Sequence, residues 1–166
     1  MIRTFQKKDM LYIIHTHYQI YNKEYGYDLT FRDFITESVD GFIKRSDPKE
    51  NIWILEIDGH PRGSISIKKV NENVAQLGLF LVEPEYRGSG YGKKLIEKAI
   101  SFCQENNYKT IILWTNDQLQ LARHLYESVG FQLVETRFQT LSNQKLLEEK
   151  WKLNIGGGTN ESYGFF

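Results

Sequence analysis

A chain of 166 residues suits one domain with one core, large enough to bury about 70% of the surface its unfolded form exposes. Its 21 Lys and Arg balance 21 Asp and Glu, which gives no net field to recruit nucleic acid or an anionic membrane. No run of about 18 apolar residues and no charged-then-apolar leader stands out, pointing to a cytoplasmic protein, and the single Cys103, among Leu95, Ala99 and Phe102, reads as a buried thiol.

Ile2 to Phe5 is short and β-prone. Lys8 to Tyr25 follows with Leu11, Ile14, Tyr18 and Tyr21 at helical spacing, and Gly26 ends that helix. Thr30 reads as the cap of a second helix whose apolar face is Phe31, Phe34, Ile35, Val39 and Phe42, stopped at Asp47-Pro48. Asn51 to Ile57 and Arg62 to Val70 flank Asp58-Gly59-His60-Pro61, a hairpin in which Ile65 and Ile67 alternate with Ser64 and Ser66. Ala75 to Val82 adds a third strand, and Tyr91 to Asn106 forms a helix with Leu95, Ala99, Phe102 and Cys103 on its apolar face. Thr110 to Trp114 is a continuous apolar run, as expected of a strand buried on both faces after a parallel crossover. Gln118 to Val129 reads as a helix closed by Gly130, and Phe131–Val134 and Lys150–Ile155 as a last antiparallel pair joined around Ser142-Asn143. The order is β-α-α-β-β-β-α-β-α-β-β, an α/β (mixed α+β) fold with helices on both faces of a mixed twisted sheet of about seven strands. Residues 1–155 form the domain. Residues 156–166, glycine-rich and then aromatic, form a tail that is either flexible or docked on this subunit or a neighbour.

The stretch Arg87-Gly88-Ser89-Gly90-Tyr91-Gly92 lies between a strand ending before Pro84 and a helix. Alternating glycines allow positive φ and close backbone approach, so successive N–H groups converge on one anion while the helix N-terminus adds partial positive charge. A pyrophosphate is the ligand this suits. A Walker A loop needs a hydroxyl after its lysine, whereas Lys94 follows Lys93 here, and a dinucleotide fingerprint belongs after the first strand of its unit, not mid-chain.

With Val82-Glu83-Pro84-Glu85-Tyr86 before it, and with Trp114-Thr115-Asn116 and Leu125-Tyr126-Glu127-Ser128-Val129-Gly130-Phe131 after it, this loop resembles the GNAT superfamily of acyl-CoA-dependent N-acetyltransferases. Residues 1–155 are most similar to the acetyltransferase domain found fused to MarR-type regulators, through His15-Thr16-His17-Tyr18 and Glu24-Tyr25-Gly26. The resemblance implies acetyl-CoA as co-substrate and no metal. It implies that Gly88, Ser89, Gly90, Tyr91 and Gly92 hold the pyrophosphate, with charge from Arg87 and Lys93. The backbone of Phe80, Leu81 and Val82 would pair with pantetheine, and Asn116 would bond the cofactor arm or else cap a turn. Tyr126 would protonate the departing sulfur as general acid, its alternative being a packed phenol. His15, Tyr18, Glu24 and Tyr27 would wall the acceptor site, although each also reads as an ordinary packed or surface residue. The strand before the loop, Gln76 to Leu81, holds no carboxylate to serve as general base. The expected reaction is direct attack of an amine of a small molecule or amino acid on the thioester in a ternary complex. Acetylation of proteins or peptides, a non-catalytic acyl-CoA sensor and a CoA-independent interaction domain are the alternatives, and pairing into a homodimer stays open.

Overall fold

The computed structural model of the protein describes residues 1–156. The chain runs β1 (Ile2–Thr4), α1 (Met10–Tyr25), α2 (Leu29–Arg45), β2 (Asn51–Ile57), β3 (His60–Lys69), β4 (Val74–Val82), α3 (Tyr91–Glu105), β5 (Thr110–Asn116), α4 (Gln120–Ser128), β6 (Gln132–Leu141) and β7 (Gln144–Asn154), with short 3-10 turns at Lys7–Asp9 and Pro84–Tyr86. The seven strands form one sheet in the order β1-β2-β3-β4-β5-β7-β6. The β4–β5 pair is parallel, joined by a crossover through α3, and the other pairs are antiparallel. The sheet and its helices on both faces are those expected from the sequence pattern. No described helix is long and apolar enough to cross a membrane.

Strand β2 explains how the two faces acquire separate cores. Its apolar run sends Trp53 and Leu55 to the side covered by α3, with Ile65, Leu95, Ala99 and Cys103. Ile52 and Ile54 go to the other side, with Ile13, Phe31, Ile35 and Val39 of α1 and α2. Full burial of such a side chain contributes roughly 1.5–3 kcal/mol, so both helical layers are held by the one sheet. Burial pushes the Cys103 thiol up to about 12, consistent with an inert packing group.

Several local expectations change. Asp28, not Thr30, caps α2: its carboxylate accepts from the Thr30 N–H at 3.0 Å. Ser64 and Ser66 do not face solvent, being 0% and 8% exposed. The last hairpin is far longer than Phe131–Val134 with Lys150–Ile155. It turns tightly at Ser142 and Asn143, both at positive φ, and pairs Leu141 with Gln144. Strand β6 is the sheet edge and is exposed along almost its whole length, so it carries no hydrophobic alternation that marks a strand in sequence. The tail expected at 156–166 lies, beyond Gly156, outside the described residues.

The entry to α1 is fixed by a buried ion pair. Arg3 donates to both oxygens of Asp9 at 2.8 and 2.9 Å, and the Gln6 N–H donates to the same carboxylate at 2.7 Å. Burial works to raise the Asp9 carboxyl, but the Arg3 and Gln6 bonds outweigh it and hold it below the ordinary 3.8. A depressed folded-state value means that the stabilisation is complete above about pH 4 and is lost as pH falls through that value. Asp9→Asn is therefore expected to cost about 2–3 kcal/mol at pH 7, Arg3 keeping Glu56 as a partner, and progressively less below pH 4. Urea unfolding of both proteins at pH 7 and pH 3 checks it; a gap that stays constant would refute the assignment.

Candidate active site

The site begins with a break in the sheet. Strands β4 and β5 pair only at Val74↔Thr110, Ala75↔Ile111 and Gln76↔Ile112, so beyond Gln76 the β4 edge facing β5 has no ladder partner. On its other edge β4 is bulged between Gly78 and Leu81 opposite Ser66 and Ser64. Leu79 sits there at φ 45, a left-handed conformation costing a non-glycine residue roughly 1–2 kcal/mol. The Ser64 hydroxyl holds the bulge by donating to the Leu79 carbonyl at 2.6 Å. A serine that reads in sequence as the polar half of an alternation thus supports a re-aimed backbone beside an opening.

Past Val82 the chain enters the glycine loop. Gly88 and Gly90 have φ 83 and 84, and a Cβ built on either would meet nothing within 4 Å. Their requirement is conformational. Gly92 differs, since its Cβ would lie 2.8 Å from Leu125 Cδ1 and 3.3 Å from Phe80 Cζ, so it allows α3 to approach α4 and β4. Among the described residues, no backbone N–H from Gly88 to Lys93 donates to a backbone carbonyl. Those donors, together with the α3 N-terminus, form a cradle suited to a phosphate-bearing group.

Two cavities meet in the gap between the strands. The smaller, about 390 Å³, is lined by Phe80, Leu81, Val82, Arg87, Gly88, Gly90, Gly92 and Lys93, and reaches α4 at Leu121, His124 and Leu125. Every residue assigned to the cofactor from sequence borders it except Ser89, Tyr91 and Asn116. Ser89 is exposed on the loop, and Tyr91 packs against the α3-side core. The larger cavity, about 530 Å³, lies between α1, α2 and the sheet and includes Tyr27, Asn116 and Tyr126. Tyr21, Phe80, Leu119 and Ala122 line both, so the two are adjacent.

Within the larger cavity, Asn116 donates to the Tyr27 hydroxyl at 2.8 Å and accepts from the Gln118 N–H at 3.0 Å. It both caps the turn after β5 and orients Tyr27. Tyr126 is 5% exposed, its ring between Phe80 and Phe131 with both centroids 5.9 Å away. Burial raises its phenol well above the ordinary value, so it stays protonated at neutral pH.

The acceptor residues expected on α1 divide. Tyr27 lies in the larger cavity. Glu24 lies instead in the smaller one, where its carboxylate takes two bonds from Arg87, at 3.1 and 3.3 Å, while Arg87 Nε donates to the Val82 carbonyl at 3.1 Å. Arg87 thus ties the loop to α1. His15 and Tyr18 border neither cavity. His15 is exposed, and Tyr18 lies under the Arg32 guanidinium. The histidine of the site is His17, 2% exposed and in line with Ile13 and Tyr21 at the four-residue spacing of one helix face. That spacing was the available signal. Glu148 of β7 is the other residue missed. It borders the larger cavity opposite Asn116 in register and is held by Arg137 at 2.6 Å. Glu83, at the end of β4, lines neither cavity and accepts from the Tyr12 hydroxyl at 2.7 Å.

A split parallel pair, a cradle of N–H groups without backbone partners at a helix start and two adjacent cavities beside it make up the site. The pattern of the family described as Acetyltransferase (GNAT) family matches residues 12–131. The N-acetylaspartate synthetase of Xenopus tropicalis is 34% identical over 88 residues, covering 52% of this chain and 32% of that protein, so the chain matches only about a third of that relative. Among solved structures, an acetyltransferase of GNAT family from Staphylococcus aureus Mu50 superposes with TM-score 0.78 at 23% identity, covering 93% of this chain and 98% of the other. A putative acetyltransferase from Salmonella typhimurium, solved with its cofactor acetyl-CoA, superposes with TM-score 0.75 at 15% identity, covering 98% and 97%. The chain belongs to the Acetyltransferase (GNAT) family.

Proposed function

We propose that this chain, acting as one domain over residues 1–155, transfers the acetyl group of acetyl-CoA to the primary amine of a small molecule or amino acid by direct attack in a ternary complex. The observation that carries the reading is the adjacency of the two cavities, which share Tyr21, Phe80, Leu119 and Ala122 as lining. A thioester lying along the free β4 edge would bring its carbonyl to that junction, with the pyrophosphate on the loop N–H groups. The amine nitrogen attacks the carbonyl carbon, the C–S bond breaks, Tyr126 gives its proton to the sulfur and recovers one from the new amide nitrogen. Amine and thioester become amide and thiol with no net change in protons. Holding the two reactants in attack geometry is worth about 7–11 kcal/mol, more than the roughly 2.7–5.5 kcal/mol of a general acid or base, so the cavities matter more than any one side chain. Glu24, Arg87 and Tyr27 position α1 and its exit around the junction. The similarity to acetyltransferase domains fused to MarR-type regulators rests on residues of α1 and belongs to the same proposal.

The test is a thermal shift with acetyl-CoA, CoA and 3′-dephospho-CoA, followed by an assay of CoA release with amines. At ligand near 100 times Kd the stabilisation is about 2.7 kcal/mol, raising Tm by roughly 5 °C or more. No shift at millimolar acetyl-CoA would sink the reading.

A further inference from the structure

His17 leaves one ring nitrogen unused by the fold. Its Nδ1 lies 2.8 Å from the Ile13 carbonyl, which only accepts, so Nδ1 carries the proton and Nε2 keeps a lone pair in the neutral ring. Burial pushes the imidazole down to about 4, with the backbone of Ile13 and Leu79 opposing; the ring is neutral at physiological pH. Nε2 makes no hydrogen bond of good geometry among the described residues, and Thr115 Oγ1 is likewise buried and unpartnered. Both residues line the larger cavity. Buried polar atoms are rarely left unpaired without a functional reason.

The surroundings restrict what completes them. Tyr21, Tyr27, Phe31, Phe80 and Trp114 put aromatic rings on the walls, beside polar groups such as Ser66, Thr115 and Asn116. Of the charged residues that border the cavity, Arg45 is held by Glu50 and Glu148 by Arg137, while the exposed Lys68 and Glu37 carry one charge of each sign, so the charges at the cavity favour neither an acidic acceptor nor a polycation. Building on the acetyl-transfer reading above, we propose that the acceptor is a neutral primary amine on an aromatic or apolar body, its N–H donated to His17 Nε2 and its body lying against the rings. In that arrangement the nitrogen lone pair stays free for the carbonyl carbon, so His17 orients the nucleophile without taking its proton.

The probe is phenethylamine, with aspartate and 1,4-diaminobutane as contrasts. Wild type is expected to give kcat/KM for phenethylamine about tenfold or more above either contrast, and His17→Phe to lower it about tenfold while the Kd for acetyl-CoA stays within about twofold. His17→Gln, which restores an acceptor oxygen, recovers part of the loss. Wild type that binds acetyl-CoA without acetylating phenethylamine overturns the inference, as does a His17→Phe protein within about twofold of wild type. Wild type that fails to bind acetyl-CoA overturns the acetyl-transfer reading and this one together, and that binding step separates the two failures. Should His17→Phe not fold, wild-type protein with 15N-labelled histidine decides: phenethylamine added to the CoA complex shifts the His17 Nε2 resonance, and an unmoved resonance at saturation refutes the contact.

Discussion

Gly90→Glu is expected to abolish acetyl-CoA binding while leaving the protein folded. Gly90 is the cap residue of α3 at φ 84, with open space where a Cβ would stand. A side chain there is strained by roughly 1–2 kcal/mol but meets nothing, so unfolding should shift by no more than that. Binding suffers twice, because the loop loses the conformation that aligns its N–H groups and gains a carboxylate where the diphosphate would lie. A loss of about 2.7 kcal/mol or more, a hundredfold in Kd, follows. Gly90→Ala carries the strain without the charge and should fall between wild type and Gly90→Glu. Calorimetric titration of the three proteins at two salt concentrations separates the terms, since the charge component weakens as salt rises. Gly90→Glu binding acetyl-CoA as wild type does would remove the cradle from consideration. Gly92 is no substitute in this test. Its Cβ would press on Leu125 and Phe80, so a change there alters packing as well as binding.

The order of elements was legible because each interior element carries its own period or flank. The β2 run, buried on both faces, the amphipathic stripe of α3 and Gly26 at φ 73 closing α1 are local signals that agree with the tertiary outcome. The loop was legible for the same reason, as positive φ at Gly88 and Gly90 demands glycine. What failed to show lies where tertiary context overrides local pattern. Strand β6 is polar because it is an edge, and a polar run looks like a loop. Ser64 and Ser66 read only as the polar half of an alternation, which reports polarity and not what lies opposite; here one serine supports the Leu79 bulge and the other faces a cavity. The bulge has one marker in the sequence, Gly78 inside an otherwise unbroken strand run, and the strand reading passed over it. On α1, the sequence reading took His15, which borders neither cavity, over His17, which lines the larger one. The stripe through Ile13 and Tyr21 would have corrected it.

Tyr126→Phe is expected to lower kcat about a hundredfold and to leave the Kd for acetyl-CoA unchanged. Among the described residues no group is recorded as bonding the Tyr126 hydroxyl, so its loss breaks no contact of the fold, and the ring keeps Phe80 and Phe131 as neighbours. Stability should change by less than about 0.5 kcal/mol, which makes a kinetic loss hard to attribute to misfolding. Burial raises the phenol above its ordinary value of 10.0, so the acid form is the only one populated across the working range, and kcat should show no decline with rising pH below about pH 10 from this group. A thiolate leaving into a chamber walled in part by Tyr21, Phe80 and Trp114 is less well solvated than in water, and a proton delivered as the C–S bond breaks removes that cost at the step where it arises. The effect should therefore appear in kcat and kcat/KM alike, with a solvent isotope effect in wild type that shrinks in the variant when another step takes over proton delivery. An unchanged kcat would reduce Tyr126 to a packed ring and leave bulk water, or the incoming amine's own proton, to neutralise the sulfur.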